Sequence, residues 1–286
     1  MISIGKDIIA QFKGHLEELE LSPATIRKHM SNLQILTQYA GDAIQDKSHL
    51  NGFREYLRKA EYASGTINSI IVTVNKMLAY MKEKGFCEEA WHLRGEKVQR
   101  RTFLLAQKEL SLEEYRQLVR TALSSGNHRL AMLLQTICST GIRISELKAI
   151  TVESLSDGHA VVRNKGKERI ILIPNGLAKS LLRYCREKNI TEGAIFITRS
   201  GKPLDRSNVW RMMKKLAEKA GVAPEKVFPH NLRHLFAVTY YNETRDIARL
   251  ADLLGHSNVN TTRIYTANSS RVERGVINRL QLTVPA

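Results

Sequence analysis

The sequence predicts a mainly α-helical protein of two domains, with one small β-hairpin set into the second. Three observations predict it. The length of 286 residues suits two domains of ordinary size. Apolar residues recur at helical spacing along most of the chain. A single pair of Val/Ile-rich runs flanks a glycine-containing turn.

Residues 1–90 read as a small all-helical domain of four or five helices. KDIIAQFKGHLEEL sets Ile8, Ile9, Phe12 and Leu16 at helical spacing. LSPATIRKHMSNLQILTQYA opens with Ser22 as N-cap and Pro23 at the first helical position. HLNGFREYLRKA and SGTINSIIVTVNKMLAYMKEKG continue the pattern, and Gly85 closes the last helix. Residues 91–107 lose this periodicity and include Arg94, Lys97, Arg100 and Arg101, a basic linker. Such a segment suits a solvated connector and a chain that wraps a duplex equally well.

The second domain, residues 108–286, starts with a capping box, Ser111 and Glu114 in SLEEYRQLVRTALSSG, followed by NHRLAMLLQTICSTG. HAVVRNKGKERIILIP (159–174) is the hairpin, turning at Asn164-Lys165-Gly166-Lys167. Helices resume at GLAKSLLRYCREKN, RSNVWRMMKKLAEKAG, PHNLRHLFAVTYYNE and DIARLADLLGH.

Composition narrows the function. Hydrophobic residues make up 43% of the chain, and no apolar run reaches the ~18–20 residues of a membrane span. The N-terminus lacks a basic segment followed by an apolar one, so no secretion signal is expected. Cys87, Cys138 and Cys185 are dispersed and form no CxxC, which predicts neither disulfides nor a zinc site and fits a reducing, cytoplasmic setting. The net charge is +16; residues 1–101 carry 15 Lys+Arg against 12 Asp+Glu, and the remaining residues carry 29 against 16. A basic excess concentrated in one domain points to a polyanion, with nucleic acid the leading candidate.

Several residues in that domain could do chemistry. Arg143 and Glu146 in TGIRISELKAI are three apart, so on a helix they share a face. An arginine fork matches a phosphate, although alone such a pair is more often an ordinary surface ion pair. His230 and Arg233 in FPHNLRHLFA have the same spacing at a helix start marked by Pro229, a pairing that makes sense around an anion or on a solvated basic face. His234 reads as structural. His256 follows the helix-ending Gly255, and Tyr265 comes nine residues later among Thr261, Thr262 and Thr266, a polar setting ill-suited to a buried ring. Lys165 alone is a turn lysine.

The ordered set Arg143, Lys165, His230, Arg233, His256 and Tyr265 resembles the catalytic set of the tyrosine recombinases, the phage-integrase and Xer-type family. TGIRISEL, HNLRH and LLGHSNVNTTRIYT resemble its three diagnostic boxes nearly letter for letter, and the N-terminal helices resemble its SAM-like core-binding domain. The lysine transfers least firmly: Lys165 fits best, and Lys167 lies two residues away.

The resemblance implies a site-specific recombinase that acts on double-stranded DNA without metal, ATP or other cofactor. Tyr265 would attack a DNA phosphate and form a 3′-phosphotyrosyl link, with His230 as base, Arg143, Arg233 and a hydrogen bond donated by His256 stabilising the phosphorane, and Lys165 protonating the leaving 5′-oxygen. Glu146 would orient the cluster. DNA contacts are expected at Arg27, Lys28, Lys76, Arg100, Arg101 and Arg206. In the family the two domains form a C-shaped clamp. Four protomers assemble on two DNA sites, as a homotetramer or with a paralogue, each C-terminal segment docking on the next. SRVERGVINRLQLTVPA (270–286) offers Val272, Val276, Ile277, Leu280 and Leu282 for that contact or for folding back on its own domain. Two rival readings are a type IB topoisomerase-like enzyme and a non-catalytic DNA-binding factor of the same fold. The tasks that fit are integration or excision of a mobile element and resolution of chromosome dimers.

Overall fold

The structure is a computed structural model of the whole chain; it describes residues 1–88, 91–96, 109–164, 167–198, 200–256 and 258–262. The chain divides into two compact units, Met1–Arg100 and Arg101–Ala286. No described helix is long and apolar enough to cross a membrane.

The first unit contains α1 (Lys6–Glu18), α2 (Pro23–Ala40), α3 (Lys47–Lys59) and α4 (Ser64–Glu83). The Ser22 side chain accepts from the Thr25 N–H, as the cap motif predicts. Phe12, Leu16, Leu33, Phe53, Leu57, Ile70 and Val74 form its core, each almost fully buried. Each side chain of this size stabilises the fold by roughly 1.5–3 kcal/mol. The unit is not purely helical. Strands β1 (Ile2–Ser3) and β2 (Ala43–Ile44) pair antiparallel, Ile2 opposite Ile44. Two residues per strand are too few to register as alternation in sequence.

Residues 91–96, expected as the start of the linker, are instead pinned along α4. Asn75 exchanges two hydrogen bonds with the Leu93 backbone, at 2.8 and 2.9 Å, and Asn68 does the same for Glu96. Leu93 is buried in the core, and Glu96 pairs with Arg58 at 2.9 Å. Asparagine amides that satisfy both backbone polar groups of one residue replace a sheet partner here, and no periodic pattern marks them.

The second unit contains α5 (Leu112–Ser124), α6 (His128–Thr140), a short 3-10 segment (Ile144–Ala149), α7 (Val152–Ser156), strands β3 (His159–Asn164) and β4 (Lys167–Leu172), α8 (Asn175–Glu187), α9 (Arg206–Lys219), α10 (Pro229–Thr244) and α11 (Ile247–Leu254). The Ser111–Glu114 capping box is present. The hairpin pairs antiparallel with His159 opposite Leu172 and Val162 opposite Arg169. Its inner face, Ala160, Val162 and Ile171, is buried, while Val161, Ile170 and Leu172 face outward. The helix α7 was not anticipated; at five residues it is too short to show a period.

Candidate active site

The site is built where α6, the 3-10 segment, α10 and α11 end or begin. Gly141 and Gly255 make two of these ends possible. Both adopt left-handed backbone, φ 62° in each case. A Cβ at Gly141 would lie 2.5 Å from Phe236, and one at Gly255 would lie 2.4 Å from the Arg169 Cδ. Only glycine gives both the backbone conformation and the close approach.

The carbonyls at the end of α11 organise the cluster. A helix leaves its last carbonyls without intrahelical partners. The His256 N–H donates to Ala251 O, and the Gly255 N–H to Asp252 O. The next three carbonyls each accept from a different arginine: Leu253 O from Arg169 Nη1 at 2.5 Å, Leu254 O from Arg233 Nη2 at 2.6 Å, and Gly255 O from Arg143 Nη2 at 3.2 Å. The negative end of the helix dipole favours these cations. Arg233 also donates from Nη1 to Gly141 O at 2.6 Å, so one side chain, only 3% exposed, ties the end of α6 to the end of α11.

Glu146 is the counter-charge. Its carboxylate accepts from the Arg143 backbone N–H at 3.0 Å, from Arg143 Nη1 at 2.9 Å, and from Arg169 Nη2. It is buried, so the surface ion-pair reading of Arg143–Glu146 is set aside. Burial works to raise its pKa, but the Arg143 N–H, the Arg169 charge and the hydrogen bonds from both guanidinium groups outweigh this and hold it below the ordinary carboxylate value.

Both cleft histidines are kept neutral. His230, on the first turn of α10, has a lowered pKa from desolvation and from the charges of Arg233 and Arg143. His256 is pushed down to about 4, by burial first and then by the surrounding arginines. Its Nε2 lies 3.2 Å from Arg233 Nη2, and its Nδ1 lies 2.9 Å from Thr262 Oγ1. Arginine can only donate, so Nε2 accepts and the ring proton sits on Nδ1, donated to Thr262. Thr262, although polar, is fully buried; its hydroxyl oxygen accepts from the histidine Nδ1–H. His234 is buried, pushed to about 4, and lies 3.9 Å from Glu109, in keeping with a structural role.

A cleft of about 380 Å³ brings Arg143, His230, Arg233 and His256 together, with Arg206, Trp210 and Ser145 also on its wall. Arg206 is exposed there, at the start of α9. Arg27 and Lys28 are exposed on α2 of the first unit, and Lys76, on α4, lies near enough to His29 to lower its pKa after burial has done so. Lys165, Tyr265, Arg100, Arg101 and the 270–286 segment lie outside the described residues. The sequence reading missed Arg169, Thr262 and Trp210. For Arg169 a signal existed, an arginine on the apolar face of a strand in KERIIL; for Thr262 and Trp210 no spacing marks them.

Two arginines and two neutral histidines thus converge on one open cleft of a mainly helical scaffold. The phage integrase family profile matches residues 108–271. The tyrosine recombinase XerA of Thermococcus kodakarensis is 32% identical over 267 residues, covering 91% of this chain and 90% of the relative. The tyrosine recombinase XerD of Chlamydia trachomatis is 27% identical over 289 residues, covering 94% of each. The fold is similar to that of the Tn1549 transposon integrase in complex with transposon right end DNA (TM-score 0.76, 16% identity, 96% of this chain and 98% of that one). It is also similar to the XerH recombinase bound to palindromic difH substrate (TM-score 0.73, 20% identity, 88% and 79%). The chain belongs to the phage integrase family, the site-specific tyrosine recombinases.

Proposed function

We propose that this protein cuts and rejoins double-stranded DNA through a covalent bond between Tyr265 and a 3′-phosphate. The observation that carries the reading is the cleft in which Arg143, Arg233, His230 and His256 meet, just upstream in sequence of Tyr265. The tyrosine oxygen attacks phosphorus, the phosphotyrosyl bond forms, and the bond to the 5′-oxygen breaks. A phenol with a pKa near ~10 is a weak nucleophile at neutral pH. His230, neutral in its cleft, takes the phenolic proton. Lys165 donates a proton to the departing 5′-oxygen. A 5′-hydroxyl from the partner strand then reverses the reaction, so the ester conserves the bond and no ATP is consumed.

Arg143 and Arg233 are already oriented by carbonyls and Glu146 before any phosphate arrives, which is the preorganisation that stabilises a developing phosphorane. His256 contributes a donor once the phosphate charge raises its pKa and Nε2 takes up a second proton; Thr262 holds the ring in place meanwhile. Arg27, Lys28, Lys76, Arg100, Arg101 and Arg206 supply phosphate contacts. Four protomers act together on two sites, on the nucleoid in the cytoplasm.

The test is covalent trapping. Nicked suicide duplexes drawn from the DNA flanking the gene should yield a protein–DNA adduct that resists denaturant. Protein that binds such duplexes and never forms an adduct would favour the non-catalytic reading.

A further inference from the structure

Arg169 is the arginine that neither the sequence reading nor the proposed chemistry uses, yet it is placed among the residues that do the work. It sits on the inner face of β4, paired with Val162, on the hairpin whose two strands flank Lys165 in the sequence. Its side chain is 11% exposed. One guanidinium nitrogen meets the Glu146 carboxylate, and another donates to Leu253 O at 2.5 Å. The stem runs over Gly255, so closely that no Cβ fits there. Its Nε finds no acceptor among the described residues. An arginine buried at that desolvation cost, with one donor unsatisfied, is a poor choice for packing alone; an apolar side chain would fill the same space without the penalty.

We propose that Arg169 is a positioning residue for strand cleavage: its guanidinium locks the hairpin to the Glu146 carboxylate and to the end of α11, so that one side chain sets both the orientation of Arg143 and the approach of the hairpin. The inference rests on the reading of this cleft as the cleavage site. Glu146 is the shared element. It grips Arg143 through backbone and side chain, and Arg169 presses on its second oxygen. The charged groups around Glu146 are Arg143, which caps the 3-10 segment, and Arg169 from β4. Arg233 and His230 from α10 and His256 after α11 complete the same cluster. Without Arg169 the buried carboxylate loses one of its two cationic partners, its pKa rises, and it neutralises at a pH where the wild-type carboxylate is still charged. Neutral Glu146 no longer orients Arg143. The acid limb of the cleavage profile therefore moves to higher pH.

The test compares full-length wild type, Arg169→Met and Arg169→Lys. On a trapped suicide duplex, Arg169→Met should form adduct about 10²-fold more slowly, the scale of a small misplacement in an active site. Its acid limb should be shifted upward and its duplex affinity close to wild type. Arg169→Lys keeps a charge beside Glu146 and should restore the acid limb while remaining slower, because a single ammonium cannot reach both partners. A wild-type rate in Arg169→Met, or a uniform drop with an unshifted profile, overturns the proposal. A DNA-free arm separates this from failure of the functional reading. Hydrogen exchange in Arg169→Met should accelerate in the β3–β4 peptides and at 253–256, and stay unchanged in α5 and α8. Unaltered exchange in the hairpin overturns the lock even if the wild type forms no adduct on any duplex.

Discussion

Replacing Glu146 with glutamine changes one atom and isolates the charge that holds the cluster together. The carboxylate is 6% exposed and accepts three hydrogen bonds from two arginines. Glutamine keeps the shape and one acceptor oxygen, but it turns an N–H₂ toward a guanidinium, donor against donor. Arg169, 11% exposed, and the partly exposed Arg143 then lack their counter-charge. Breaking a buried ion pair by removing one partner costs about 3–5 kcal/mol, which in a unit of this size lowers the melting temperature by roughly 6–20 °C. The chain has two tryptophans, Trp91 in the first unit and Trp210 in the second. In a Trp91→Phe background, urea denaturation followed by fluorescence therefore reports the second unit alone. The pH dependence gives a second check. The folded pKa of Glu146 is below the ordinary value of 4.5, so its stabilisation is fully present above that value and is lost as pH falls through the folded one. The gap between wild type and Glu146→Gln should be widest near neutrality and close toward low pH. A loss under about 1 kcal/mol at pH 7, the range of an exposed pair, would refute the reasoning.

Three further outcomes follow from the same geometry. Gly255→Ala places a Cβ 2.4 Å from the Arg169 side chain at φ 62°, and the left-handed backbone alone should cost roughly 1–2 kcal/mol; a melting curve equal to wild type would contradict this. Thr262→Val keeps the volume but strips the hydroxyl that meets His256 Nδ1, leaving a buried N–H without an acceptor at a cost of about 1–3 kcal/mol; ¹⁵N NMR of the imidazole should show the Nδ1-protonated tautomer in wild type and its loss in the variant. Arg143→Lys keeps the charge and loses the fork that spans Glu146 and Gly255 O, so adduct formation should fall by orders of magnitude while duplex affinity measured by anisotropy changes little; Arg143→Lys cleaving at the wild-type rate would reduce Arg143 to a structural partner of Glu146.

The helices were legible because each carries its own local signals. Ser22-Pro23, the Ser111–Glu114 box and the helix-ending glycines are decided by neighbours within four residues, and the structure places helices where they point. The convergence of Arg143, His230, Arg233 and His256 was legible for another reason: their boxes carry a family likeness, and the cleft gathers them. What stayed hidden depends on contacts distant in sequence. Arg169 meets Leu253 across 84 residues, and Asn75 grips Leu93 across 18; a side chain that pairs with a backbone carbonyl leaves no complementary residue to look for. The β1–β2 ribbon is two residues wide and sets no period. Thr262 is polar in sequence and yet fully buried, because its hydroxyl oxygen meets a histidine N–H from six residues earlier.

Mapping the covalent bond tests the central claim most directly. Wild-type protein trapped on a nicked suicide duplex, digested with nuclease and protease and analysed by mass spectrometry, should carry the residual nucleotide on Tyr265. Tyr265→Phe removes a single oxygen and should bind the same duplex without forming any adduct. A nucleotide on Tyr240 or Tyr241, the nearest tyrosines before it in the sequence, or an adduct that persists in the phenylalanine variant, would contradict the account.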